Sequence, residues 1–356
     1  MAEKWATELG TEKYFQWISV HVSKQRRFDR LTVSALGAGT YLGPPDDATD
    51  KLYSQTLLQA GLGGINFFDT AINYRNQRSE RVLGKVIREL AGRGILRDQL
   101  VIATKGGFLP TDGEEPLEDY VRTHYLDTGI VEEKEIVAGA HCMSPAYLDN
   151  QIASSLKNLG IACIDLYYLH NPETQFAEVN EEEFYRRLTA SFKLFEQKVQ
   201  EKKIGRYGLA TWNGFRQKKG GLQLAKVIQC AREAGGEGHH LKAIQLPYNL
   251  VMLEAIKQKK TFIQAAKEYG IAVMVSAPLM QAQVGQLCKR VFEKLPPGKS
   301  PQAQSLEFVL STPNICTAFC GMKKGEHWEA NKTILQDPIW SPDLWAKATL
   351  SLGIEV

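Results

Sequence analysis

The sequence predicts an α/β chain folded as a single (β/α)8, or TIM, barrel, and three observations predict it. Short apolar runs alternate with helical stretches from about residue 31 to about residue 335. Eight such runs can be found, and nearly all lack a polar face, as strands of a parallel sheet covered on both sides do. No linker or shift in composition divides the chain; only residues 106–144 break the rhythm. Eight consecutive βα units in one chain argue for closure into a barrel.

Residues 1–30 read as an N-terminal extension or hairpin. Ile18–Ser23 alternates like an exposed strand, and Lys24-Gln25-Arg26-Arg27 is expected to form a solvated basic edge. The first barrel strand is placed from about Thr32 and ends in Gly37-Ala38-Gly39. That glycine pair tempts a dinucleotide-fold reading, but Leu42 stands where the third glycine belongs and Pro44-Pro45 follows where a helix would open, so the reading fails. A helix over residues 49–62 leads to strand Ile65–Phe68. Ser79 is a candidate cap for a helix carrying Val82, Leu83, Val86, Ile87 and Leu90 at helical spacing. Strand Leu100–Thr104 follows.

The segment 106–144, Gly/Pro-rich and then acidic, is too long for an ordinary βα loop; insertions of this length are commonly lids, binding loops or disordered. Ser144-Pro145 opens the next helix, which buries Leu148, Ile152, Leu156 and Leu159. Strand Ile164–Leu169 ends at His170. A long helix carries Phe184, Leu188, Phe192, Phe195 and Val199 on one stripe. Strands Tyr207–Thr211, Ala243–Leu246, Ala272–Val275 and Ile315–Phe319 complete the set, with helices near 215–233, 260–269, 302–311 and 326–335. Residues 31–340 therefore make the barrel, and 341–356 a C-terminal tail.

Composition excludes several function classes. The 356 residues are 44% hydrophobic and carry a net charge of +3, from 43 basic and 40 acidic residues mixed along the chain. That balance offers no electrostatic footprint for nucleic acid. No apolar run reaches the ~18 residues of a membrane span, and the N-terminus has no signal-type apolar core. Six scattered cysteines without a CxxC pair suit a reduced, cytoplasmic protein. His239-His240 lacks a third ligand nearby, so no metal site is expected.

In barrels of this kind chemistry lies on the loops after the C-terminal ends of the strands. Asp69, Lys105, His170, Thr211 and Gln245 all fall at such ends, and Tyr74 follows in the loop after Asp69. A buried carboxylate needs a partner, and Lys105 can supply it. A free phenol has a pKa near ~10, and an ammonium within about 4–6 Å stabilises phenolate and lowers it. Tyr74 could then give a proton to a carbonyl oxygen that His170 orients. No side chain delivers hydride, so a nicotinamide cofactor is implied.

These residues resemble the aldo-keto reductases. The family's Asp-x4-Tyr motif is matched by Asp69 and Tyr74 in "INFFDTAINYRNQRSERVLGKVI", its strand-end lysine by Lys105 in "VIATK", and its histidine by His170 in "IDLYYLHNP". Ile244-Gln245-Leu246-Pro247-Tyr248-Asn249 resembles the "VQ-x-x-YN" segment, and Gly321–Asn331 the adenosine-phosphate loop. The resemblance implies reduction of an aldehyde or ketone by NADPH (NADH being possible), or the reverse oxidation. It makes Tyr74 the general acid, Lys105 and Asp69 its tuning pair and His170 the orienting group. Gln245 and Thr211 would meet the nicotinamide carboxamide, Lys323, Lys324 and His327 a 2′-phosphate, and Asn331 the adenine. Tyr41, Phe108 and Trp212 would wall the substrate cleft.

Three positions depart from the family pattern. The common "GVSN" reads Gly208-Leu209-Ala210-Thr211, the nicotinamide-stacking tyrosine is replaced by Ser276, and His327 stands where an arginine is common. An alternative function on the same fold is a cofactor-binding regulatory or interaction subunit with little turnover, since fold alone does not establish catalysis.

Overall fold

The structure, a computed structural model, describes residues 4–217, 221–257, 261–280, 283, 289–293, 295–296 and 299–354. Helix α1 (Glu8–Trp17) is followed by an antiparallel hairpin of β1 (Gln25–Phe28) and β2 (Leu31–Ser34). The barrel strands are β3 (Leu36–Gly39), β4 (Phe67–Asp69), β5 (Val101–Gly106), β6 (Leu166–His170), β7 (Tyr207–Ala210), β8 (Leu241–Pro247), β9 (Ala272–Ser276) and β10 (Ile315–Gly321). They pair in parallel, and β10 returns to β3 to close the ring. The eight-stranded closed barrel expected from the alternation is the fold. Helices α2 (Asp47–Leu62), α3 (Arg78–Gly92), α5 (Pro145–Leu159), α6 (Glu181–Gln200), α7 (Leu224–Gly235) and α8 (Phe262–Glu268) wrap it, followed by helices over Pro301–Ser311 and Gly325–Gln336; the short α4 (Leu117–Val121) lies in the insertion. None of the described helices is long and apolar enough to cross a membrane.

Side chains alternate across each strand, and that period sorts the core into two layers. Phe67, Val101, Ala103, Leu166, Tyr168, Ala210, Ala243, Met274 and Phe319 pack inside the barrel. Phe68, Ile102, Tyr167, Leu169, Leu209, Ile244 and Val275 face outward against the helices. Gly37 is required for this packing, because a Cβ there would lie 2.5 Å from the Phe319 ring.

Several sequence expectations need correction. The first barrel strand starts at Leu36, not near Thr32. The run from Leu31 is two strands, and side chains set the break between them: Asn66 Oδ1 accepts the Ser34 N–H at 2.9 Å and Thr317 Oγ1 donates to the Ser34 carbonyl at 2.9 Å. Ile18–Ser23 is not a strand; the hairpin strand begins at Gln25. Nor is the basic cluster a solvated edge. Lys24 is fully buried, its Nζ 2.8 Å from Glu307, and Arg26 donates to the Leu310 carbonyl at 2.8 Å. Ser79 caps nothing; it lies within α3 and donates to the Thr40 carbonyl at 2.8 Å. Of the helix expected over residues 215–233, the stretch from Leu224 is helical, residues 215–217 are not, and residues 218–220 lie outside the described residues. Residues Pro342–Ser351, in the stretch read as a tail, form a helix whose Trp345 Nε1 donates to Thr312 Oγ1 at 3.1 Å.

The insertion is built rather than loose. Phe108 and His141 form an antiparallel bridge at its base, and Val121, Tyr125, Val131 and Val137 are buried within it.

Candidate active site

Asp69, Lys105 and His170 share the inward parity of the core residues below them, Phe67 on β4, Val101 and Ala103 on β5, and Leu166 and Tyr168 on β6. Register therefore carries all three to the top of the barrel interior. Lys105 Nζ donates to Asp69 Oδ2 at 2.5 Å and to the Thr70 carbonyl at 2.8 Å. Gln245 Nε2, on β8, donates to Asp69 Oδ1 at 2.9 Å. Both carboxylate oxygens are thus bonded, as a buried charge requires.

The loop after β4 folds Tyr74 over this pair. Lys105 Nζ lies 5.0 Å from the centre of the Tyr74 ring. The His170 ring is 5.8 Å from Tyr74 on one side, and Tyr41 packs at 4.9 Å on another. Phe108 stands edge-on to His170 at 5.1 Å. Seven of the residues singled out in the sequence, Asp69, Tyr74, Lys105, His170, Gln245, Tyr41 and Phe108, therefore meet at one rim. Trp212 is on the same rim with 40% of its surface exposed, and it joins no ring contact with these seven among the described residues.

Electrostatics refine the chemistry. Burial raises Asp69 and lowers Lys105, and each is opposed by the other's charge; with 2.5 Å between them the pair stays ionic. Burial, then the Asp69 charge, push Tyr74 well above the ordinary phenol value. Against burial and the Asp69 charge, the lowering of Tyr74 expected from Lys105 does not prevail here. Burial, then Lys105 and His141, keep His170 well below the ordinary histidine value, so its ring is neutral near pH 7.

The remaining predicted residues lie just beyond the ends of β7 and β10 and in the helix that follows β10. Thr211 is buried, and its hydroxyl makes only a 3.5 Å contact to the Gln245 carbonyl. Lys323 and Lys324 precede the helix Gly325–Gln336, whose first turn has no side-chain cap. Lys324 and His327 are exposed. Asn331 is buried, with Nδ2 3.7 Å from Cys320 Sγ. An uncapped helix start beside two lysines is a ready site for a phosphate.

Sequence reasoning missed two neighbours. Glu173 Oε1 accepts the backbone N–H groups of Trp212, Asn213 and Gly214 at 2.8, 2.9 and 3.1 Å, fixing the turn after β7. His141, from the insertion, reaches the His170 carbonyl at 2.8 Å. Glu173 follows His170 closely enough to have been suspected. Nothing in the sequence around His141 announces its contact.

A closed eight-stranded parallel barrel with an Asp–Lys–Tyr–His group at its C-terminal rim defines the class of molecule. The sequence profile of the Aldo/keto reductase family matches residues 35–319, and the chain belongs to that family. Among curated relatives, it is 31% identical over 186 residues to the "Putative voltage-gated potassium channel subunit beta" of Schizosaccharomyces pombe, covering 52% of this chain and 44% of that protein. It is 30% identical over 145 residues to the NADH-specific methylglyoxal reductase of Escherichia coli, covering 39% of each. Aldo-keto reductase str7 of Strobilurus tenacellus is 22% identical over 71% of this chain and 57% of its own. The matches thus span less than two thirds of each relative's length. An aldo/keto reductase of Klebsiella pneumoniae, solved with NADP and acetate, shares the fold with a TM-score of 0.65 at 21% identity, covering 92% of this chain and 95% of that one.

Proposed function

We propose that the protein is an NAD(P)H-dependent oxidoreductase that reduces an aldehyde or ketone to an alcohol, with Tyr74 as the proton donor. The observation that carries this reading is the Lys105–Asp69 pair beneath the Tyr74 ring, with Lys105 Nζ 5.0 Å from its centre and the neutral His170 alongside. When bound, the nicotinamide supplies hydride to the carbonyl carbon. The residues of the chain do the rest. His170 holds the carbonyl oxygen towards Tyr74. A phenol kept protonated by burial is a competent donor to that oxygen as it becomes an alkoxide, a far stronger base. Lys105 then lies beside the phenolate that remains, and Asp69 holds Lys105 in place.

The rim fits the cofactor. Thr211 keeps a nearly free hydroxyl for a carboxamide, beside Gln245. The uncapped helix start, Lys323 and Lys324 suit the adenosine phosphate, with His327 and Asn331 on the following turns. Complexes of the Klebsiella pneumoniae enzymes contain NADP and NADPH, whereas the Escherichia coli relative is named NADH-specific; the two lysines favour NADPH here. Tyr41, Phe108 and Trp212 would present an aromatic wall to substrate. The five described cysteines are free and buried, which supports a reducing, cytoplasmic setting; fractionation of cells expressing the protein tests it.

Purified protein mixed with NADPH and a panel of aldehydes should consume NADPH. Tyr74→Phe should cut kcat by roughly 10²-fold or more, in keeping with loss of a general acid, while NADPH binding measured by fluorescence stays the same. Normal turnover by Tyr74→Phe would remove Tyr74 from the mechanism.

The Schizosaccharomyces pombe relative favours a second reading, a cofactor-binding subunit of a larger assembly. That reading expects NADPH binding without turnover of any carbonyl in the panel.

A further inference from the structure

We propose that His141, delivered by the insertion, is a positioning residue that holds His170 in its working orientation, through a chain of one-way hydrogen bonds starting at Arg187. This rests on the reading of His170 as the carbonyl-orienting group.

The His170 ring needs such support. Its Nδ1 is buried without a hydrogen-bond partner among the described residues, so the ring's direction depends on its backbone and on the aromatic edges of Phe108 and Tyr74. His141 acts on two of these supports. Its ring meets Phe108 at 5.2 Å and 89°, and its Nε2 lies 2.8 Å from the His170 carbonyl oxygen.

That carbonyl stands where the β5–β6 ladder stops. The last paired residues are Gly106 and Leu169, and at Gly107 β5 turns away with φ +134°. His141 supplies the donor that the next rung would have given. Only glycine permits it at 107: a Cβ there would lie 2.8 Å from His141 Nε2 and 3.1 Å from the His170 carbonyl oxygen. The N–H of the same peptide unit, belonging to Asn171, donates to the Ala210 carbonyl at 2.6 Å. The peptide that follows the His170 side chain is thus held from both sides, by β7 through backbone and by His141 through its ring.

The proton positions follow from what each group can do. A guanidinium only donates, so Arg187 Nη1, 2.8 Å from Gln175 Oε1, fixes the amide oxygen on its side. The amide nitrogen of Gln175 then faces His141 Nδ1 at 2.9 Å and donates to it. With Nδ1 accepting, the proton of a neutral ring sits on Nε2, where a carbonyl that can only accept awaits it. Both ends of the chain demand the same tautomer. His141 is fully buried, and its ring is neutral.

The test uses the full chain with NADPH and an aromatic aldehyde. Nitrogen-15 NMR of the wild-type protein at pH 7 should show His141 protonated on Nε2 and bare on Nδ1; the opposite tautomer overturns the proposal. His141→Phe keeps a ring against Phe108 but removes the donor. It should lower kcat by roughly 10- to 100-fold, the scale of an ångström-level misplacement, with NADPH affinity unchanged. His141→Gln, which can still donate to the His170 carbonyl, should recover most of that loss. Wild-type kcat in His141→Phe, or no recovery in His141→Gln, overturns it. If His141→Phe does not fold, Gln175→Leu takes its place; it should shift the tautomer balance and lower kcat, and normal values of both overturn the proposal. A wild-type protein that binds NADPH but reduces nothing refutes the functional reading instead. The positioning claim is then decided by the His170 ring resonances, which must split or broaden in His141→Phe if His141 holds that ring.

Discussion

At the scale of single residues, buried titratable groups tie the site to stability. Burial lowers His141 from the ordinary histidine value of 6.5 to about 4. The unfolded chain therefore takes up a proton below pH ~6.5 that the folded chain refuses until about pH 4. The stabilisation is fully present above that window and is lost as pH falls through it, about 3 kcal/mol in all at ~1.36 kcal/mol per unit. Asp69, Glu80 and Glu173, raised by burial, work in the opposite direction in acid, so a variant comparison isolates the histidine. Between pH 7 and pH 5 the wild-type protein should lose about 2 kcal/mol more than His141→Gln in urea unfolding. Parallel pH curves for the two proteins would refute it. Asp69, Lys105 and His170 were legible because a strand's two-residue period fixes which side chains point inward. His141 was not, because an irregular insertion has no period from which direction can be read.

At the scale of elements, the loop between β4 and α3 carries a cost that the sequence conceals. Arg75, Asn76 and Gln77 have φ of 51°, 53° and 65°, three successive left-handed residues without a glycine, each costing roughly 1–2 kcal/mol. Side chains hold the run in place. Arg75 donates to the carbonyls of Pro44 and Asp46 at 3.0 and 3.3 Å and to Asp50 at 2.6 Å. Asn76 reaches the Gly113 carbonyl at 2.9 Å, and Gln77 the Thr111 carbonyl and the Tyr120 hydroxyl at 3.2 and 3.0 Å. The loop bearing Tyr74 is thereby pinned to the start of α2 on one flank and to the insertion on the other. Arg75→Ala keeps the backbone cost and loses the bonds, so it should destabilise by about 2–4 kcal/mol and lower kcat without changing NADPH affinity. Urea unfolding and steady-state kinetics check this; stability within ~0.5 kcal/mol of wild type contradicts it. Glycine is the usual signal of left-handed backbone, and its absence is why a turn of this shape could not be foreseen. Helices such as α3 and α6 were readable because their apolar stripes repeat.

At the scale of the whole molecule, the barrel has two different ends. The C-terminal rim holds the site, and the far end is closed by the N-terminal segment that the sequence suggested was an arm with a solvated edge. Its closure depends on contacts between residues distant in the chain. The Ala6 N–H donates to Asp165 Oδ1 at 2.7 Å, Lys24 pairs with Glu307 at 2.8 Å, and Arg206 bonds Asp29 at 2.7 Å. Phe28 is the plug itself: fully buried, stacked on Phe67 at 5.8 Å, and joined with Leu31 and Val33 to the inner layer of the barrel. Phe67 in turn meets Phe319 edge-on at 5.0 Å, and two residues beyond Phe67 on the same strand face lies Asp69. Emptying the plug should therefore be felt through the inner layer before it is felt at the rim. Phe28→Ala should cost about 3–5 kcal/mol, the range for a large aromatic removed from a packed core, while the KM for the carbonyl and the NADPH affinity of the folded fraction stay at wild-type values. Phe28→Leu, which refills most of the space, should recover more than half of that stability. A Phe28→Ala protein as stable as wild type would show that the hairpin merely rests against the barrel and that the inner layer is closed without it.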